Sequence, residues 1–117
     1  MDKSSLEQRT KQFALQVIRF TALLPKNRVT EVIGRQLLRS GTSIGANYRE
    51  ANRGESRNDF IHKIGIVEKE AAETQYWLEL ITESNLGGGA ARTSLVKECG
   101  ELLAIFTSIG KSSKSRS

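Results

Sequence analysis

The run from Val29 to Arg53 most constrains the fold. It has apolar residues at helical spacing, no proline and no alternation of the kind a strand needs. It reads as one helix of about 25 residues. Yet it contains Gly34, Gly41 and Gly45. A glycine inside a helix costs about 0.5–1 kcal/mol against alanine, so packing or function must offset three of them. A helical wheel separates three faces. With Arg35 at 0°, residues Val29, Ile33, Leu37, Ile44, Tyr48 and Ala51 fall at about 120° to 220°, the face a core would take. Arg35, Arg39, Arg49 and Arg53 fall within about 40° of zero, opposite the core. The three glycines fall at about 240° to 280°, on a flank of their own.

The rest of the chain supports a bundle around this helix. Leu6, Thr10, Phe13, Val17, Phe20 and Leu24 repeat at spacings of four and three, and Ser4 with Glu7 has the form of a capping box. Pro25 ends that first helix, and Asn27 is placed to cap the second. Ser56 and Asp59 repeat the capping pattern before a third helix whose core positions are Phe60, Ile64, Val67, Ala71, Leu78 and Ile81. Tyr76 and Trp77 lie off that stripe, where they suit either a core edge or a subunit interface. Asn85 to Ala91 carries three successive glycines and reads as a flexible loop. It lacks the Gly-Lys-Ser/Thr ending of a phosphate-binding loop. Leu95, Cys99, Leu102, Phe106 and Ile109 form a fourth helical seam. The expected fold is therefore all-α: an antiparallel up-down four-helix bundle over residues 1–110. Its helices fall at about 4–24, 28–53, 57–84 and 92–109, and a basic disordered tail follows at 111–117.

Composition excludes several function classes. A single cysteine allows no intrachain disulfide and points to a reducing cytoplasm. The polar start MDKSSLEQR is no signal peptide, and no apolar run approaches the about 20 residues of a membrane span. One histidine, His62, stands without the spaced partners of a metal or nucleophilic site. No cofactor, metal or catalytic residue is therefore expected, and the chain reads as a non-enzyme.

What remains is binding. The net charge of +5 is unevenly spread. The first half and the tail are basic, and the stretch from Asn58 to Glu101 is acidic. Arg35, Arg39, Arg49 and Arg53 form a stripe about 27 Å long, suited to phosphates. Arg19, Arg28 and the tail extend it. No nucleic-acid motif with interleaved aromatics is present, so such binding is directed at the backbone. The alternative use of the same charges is assembly, with the basic second helix of one copy against the acidic third helix of the next.

With these helices in hand, a resemblance follows. Gln36-Leu37-x-Arg39-Ser40-Gly41-x-Ser43-Ile44-Gly45-Ala46-Asn47-x-x-Glu50-Ala51, then Asp59-Phe60, then Glu73-x-x-Tyr76-Trp77-Leu78, resembles a bacterial four-helix-bundle family. Its members are encoded in intervening sequences of 23S rRNA genes. The family also includes the accessory variability protein of diversity-generating retroelements. The resemblance implies a ring-like homopentamer. For the retroelement members it also implies a basic surface that binds nucleic acid and a reverse transcriptase. It implies structural roles for Ser40, Gly41, Ser43, Gly45, Asn47 and Glu50.

Overall fold

The computed structural model describes residues 1–116 and consists of four helices. They are α1 (Lys3–Ala22), α2 (Arg28–Asn52), α3 (Arg57–Glu83) and α4 (Gly89–Ser115). No strand occurs among the described residues. The bundle measures 46 × 23 × 20 Å. Helix α2 packs against α1 and α3. Helix α4 packs against α3 and, more sparingly, against α1.

Local sequence explains most helix ends. Asn27 caps α2 reciprocally with Thr30: the Asn27 side chain accepts from the Thr30 amide, and the Thr30 hydroxyl accepts from the Asn27 amide. Ser56 accepts from the Asp59 amide and opens α3 as its spacing predicts. At α1 the cap is instead Asp2, whose carboxylate accepts from the Ser5 amide at 2.8 Å. The Ser4–Glu7 box is therefore not used, and α1 starts one residue earlier than expected. Helix α1 also stops at Ala22, and Leu23 and Leu24 close it as a turn before Pro25.

Helix α4 departs furthest from expectation, at both ends. Only residues 84–88 are needed to turn the chain, and α4 begins at Gly89, whose φ of +78° suits glycine. Ala90 and Ala91, read as loop, are strong helix formers and sit in its first turn. At the other end the polar composition of residues 111–117 suggested disorder. The helix continues to Ser115 because Ile109 and Gly110 remain packed and Gly110 lies under the Glu68 carboxylate of α3. Ser117 of that tail lies outside the described residues.

The core follows the predicted seams. Leu6, Thr10, Phe13, Val17, Phe20 and Leu24 are all buried, as are Leu37, Ile44, Tyr48 and Ala51 of α2. Tyr48 of α2 meets Phe106 of α4 edge-on across the diagonal, with ring centroids 5.2 Å apart. Val29, expected in the core, is half exposed, because the buried arc of α2 is shifted toward the glycine flank and leaves Val29 at its edge, while the adjacent Thr30 is buried. Thr10, Ser40 and Thr74 are buried, and each hydroxyl donates to a carbonyl of its own helix. Cys99 is fully buried and its thiol faces the Ala71 carbonyl. Burial pushes that thiol up to about 12, which makes it a core residue and not a nucleophile.

Candidate nucleic-acid interface

The glycine flank of α2 explains its own cost. Gly34, Gly41 and Gly45 all face α1. A Cβ on Gly41 would lie 3.0 Å from Val17, and one on Gly45 would lie 3.1 Å from the Thr10 hydroxyl and 3.4 Å from the α1 backbone. At Gly34 the nearest atom, the tip of Leu24, is 3.4 Å away. The smooth face is thus a helix contact inside one chain.

That docking also decides the fate of the arginines. Arg39 and Arg49 lie about 40° to either side of the stripe's centre line, so each leans toward a different neighbour. Arg39 reaches α3 and pairs with Glu70 at 3.2 Å and with Glu73. Arg49 leans toward α1 and stands 3.8 Å from Glu7. Arg35 and Arg53, on the centre line, are exposed and have no ion-pair partner among the described residues. The stripe is therefore two free cations separated by two that are partly neutralised. The match of basic α2 with acidic α3 occurs within one chain at Arg39.

The remaining motif residues are structural in their contacts. The Ser43 hydroxyl donates to the Arg39 carbonyl at 2.7 Å, and the Asn47 amide donates to the Ser43 carbonyl at 2.9 Å. Asn47 thus finds its partner one turn back on its own helix, not on Glu50 or α3. Glu50 accepts from Lys63 of α3 at 2.8 Å. Trp77 is half-buried and its indole N–H donates to Glu73 at 3.0 Å. This donor, then Arg39, holds the Glu73 carboxyl below its ordinary range. Tyr76 is exposed and meets Trp77 edge-on at 5.2 Å.

Two polar groupings escaped the sequence reading because their members are far apart in the chain. Arg9 grips Glu98 of α4 with two hydrogen bonds, at 2.7 and 2.8 Å, and also reaches Glu101 at 2.9 Å. This clamp lies where α1 and α4 pack most sparingly. The second grouping is a cleft of about 280 Å³ lined by Lys3, Arg57, Phe60, Ser113 and Arg116. A helical tail is required to bring its last two members there. Among the described residues no group of three metal-binding side chains converges, and no helix is long and apolar enough to cross a membrane.

Comparison with known proteins follows the same lines. The family model described as 23S rRNA-intervening sequence protein matches residues 2–108. No match is found among curated proteins. A solved structure from Bacteroides thetaiotaomicron VPI-5482, described as a protein with unknown function from the S23 ribosomal protein family, superposes with a TM-score of 0.85. It is 37% identical in sequence, and the match covers 95% of this chain and 99% of that one.

Proposed function

The chain belongs to the 23S rRNA-intervening sequence protein family, and from that premise we propose that it is a non-enzymatic bundle that binds the backbone of RNA or DNA. The observation that carries the reading is the pair Arg35 and Arg53. Both are exposed and free of ion-pair partners among the described residues; Arg35 lies on α2 and Arg53 caps its C-terminal end. Free guanidinium groups make bidentate contacts with phosphates without first breaking an internal pair. Arg39 and Arg49 contribute less, because their carboxylate partners compete with phosphate.

The reading includes an antiparallel up-down arrangement and assembly into a ring of copies, which the resemblance puts at five. Contacts of Leu24 with Gly34, Val17 with Gly41 and Thr10 with Gly45 support opposite directions for α1 and α2. A ring repeats a weak cationic patch and raises avidity without new contacts. Titration of fluorescent single-stranded RNA across a salt series is the test. Replacing Arg35 and Arg53 together by Gln is expected to reduce the slope of log affinity against log salt by about 1.5. Binding that ignores salt, or a slope unchanged in that variant, overturns the reading.

A second reading is an assembly or adaptor protein with a protein partner, such as the reverse transcriptase that the resemblance implies. It is favoured by an open, mainly apolar groove between α1 and α2, whose lining includes Ile18, Ala22, Gly34 and Leu38 together with Glu31 and Arg35. Ile18→Lys then abolishes assembly and leaves RNA affinity per chain unchanged.

A further inference from the structure

The cleft formed by Lys3, Arg57, Phe60, Ser113 and Arg116 lies at the end of the bundle where α1 and α3 begin and α4 finishes. We propose that it is a binding site for a nucleoside phosphate monoester: a strand's terminal nucleotide, or a free mononucleotide. The proposal deepens the nucleic-acid reading and rests on it only for the strand.

Charge is the first argument. Three cations, from α1, α3 and the residue that caps α4, line one concavity, and none has an ion-pair partner among the described residues. The carboxylates nearest in sequence are otherwise engaged or face elsewhere. Asp2 caps α1 through Ser5, Glu7 takes the Asn52 amide, and Glu50 holds Lys63. Glu55 and Asp59 line a separate cleft with Arg53 and His62. Three like charges held together repel one another, and an anion relieves that cost. A phosphate monoester carries about −1.5 to −2 at pH 7, whereas a backbone diester carries one charge. The monoester is the better match to three cations. The Ser113 hydroxyl adds a neutral donor, and the positive ends of α1 and α3 at this cleft are opposed by the negative end of α4, so the three cations carry the charge argument.

Shape is the second argument. The volume of about 280 Å³ stands just under the range of small-molecule sites and matches the size of one nucleotide. Phe60 supplies the third element. Its ring is partly buried against the core and forms the one aromatic wall of the cleft. Stacking of a base on such a ring is sequence-tolerant. Cations, hydroxyl and ring together describe phosphate and base in one ligand, whereas a carboxylate or inorganic phosphate uses only part of the site.

The test compares single-stranded 10-mers that differ only at their ends. Oligonucleotides with a 5′-phosphate, a 3′-phosphate or hydroxyl ends are titrated by fluorescence anisotropy. AMP and inorganic phosphate are titrated separately by NMR chemical-shift changes. One phosphorylated end is expected to bind at least tenfold tighter than the hydroxyl-ended strand. Replacing Arg57 and Arg116 together by Gln is expected to erase this preference, so that phosphorylated and hydroxyl-ended strands then bind alike. Phe60→Leu is expected to weaken AMP severalfold and to leave inorganic phosphate unchanged, with thermal melts confirming the fold of each variant. If strands bind equally whatever their ends, the end site is wrong and the α2 reading stands. If no strand binds but AMP shifts the Ser113 and Phe60 amides, the site stands and the strand reading fails. If the preference survives in the double Gln variant, or AMP shifts neither amide, the assignment is overturned.

Discussion

The two ends of the bundle are built on opposite plans. At one end Phe20, Leu23, Leu24 and Pro25 meet Gly87 and Gly88 of the α3–α4 turn around an apolar pocket of about 270 Å³. At the other, Lys3, Arg57 and Arg116 surround a basic cleft. The contacts behind each end differ in the same way. Behind the basic end stand the Arg9 clamp on α4, the Glu7 contacts with Asn52 and Arg49, and the Glu50–Lys63 pair. Behind the apolar end, side chains such as Leu24 and Leu86 close the core, and Arg92 ties the turn by donating to the Gly87 carbonyl at 2.8 Å. The α1–α2 seam tightens in parallel, from 3.4 Å at Gly34 near the apolar end to 3.0–3.1 Å at Gly41 and Gly45. The basic end is held mainly through charged and amide side chains, and the apolar end mainly through apolar contacts that are close in their turn, since a Cβ on Gly87 would lie 2.6 Å from Leu24.

The largest expected effect comes from breaking the tight seam. Gly45→Leu pushes a side chain against the Thr10 hydroxyl and the α1 backbone, which cannot rotate away. Overpacking of this kind is expected to cost about 3 kcal/mol in chemical denaturation. A loss below 1 kcal/mol would show that α1 shifts freely and that the seam is no tighter here than at Gly34.

The clamps come next. Arg9→Met removes a bidentate, half-buried pair where α1 and α4 have little else, and an expected loss of about 1–2 kcal/mol follows. Arg39→Met removes a pair that is 46% exposed on the arginine side, so solvent screening holds its cost below about 1 kcal/mol. The difference is read from paired urea melts at low and high salt. Equal losses would remove the distinction between a structural clamp and a surface pair.

At Gly34 the sign reverses. A Cβ on Gly34 meets only the tip of Leu24 at ordinary contact distance. Gly34→Ala then keeps the helix-propensity gain over glycine and is expected to stabilise by about 0.5–1 kcal/mol. Gly45→Ala, with the same propensity gain, is expected to gain less because Thr10 must give way.

These residues also show what was legible in the sequence. The heptad-like spacing in α1 and the wheel of α2 were sufficient for the core, because burial writes itself into local periodicity. The same wheel isolated the glycine flank. It could not tell that Arg39 leans onto α3 and Arg49 toward α1, since ion pairs depend on neighbours remote in sequence. Helix α4 misled at both ends for a different reason. Glycine and serine lower local propensity, yet packing of Ile109 and Gly110 carries the helix through to Ser115. The basic cleft was illegible for both reasons together: it joins residues 3, 57 and 116, and it needs the tail to be helical.

The smallest effects come from pH, and they separate the two halves by direction. Trp77 and Glu73 sit toward the apolar end of α3. Glu73 is held low by the Trp77 N–H and by Arg39, so the folded state favours its carboxylate. Its contribution is present above the ordinary carboxylate pKa of about 4.3 and is lost as pH falls through the lowered folded value. Trp77 emission is expected to shift on that acid limb, and Glu73→Gln is expected to flatten it. Tyr48 belongs to the basic half, and burial raises its phenol despite the adjacent Asn52. The folded state favours the neutral phenol, so this contribution is present below about 10 and is lost as pH rises through the folded value. Cys99, pushed up to about 12 by burial, adds to the same alkaline limb from about 9 upward. Tyr48→Phe is therefore expected to shrink the alkaline limb without abolishing it, and to leave the acid limb of Trp77 emission untouched. If Glu73→Gln altered the alkaline limb as well, the two halves would be one coupled unit, and the division between the ends would describe only the surface of the bundle.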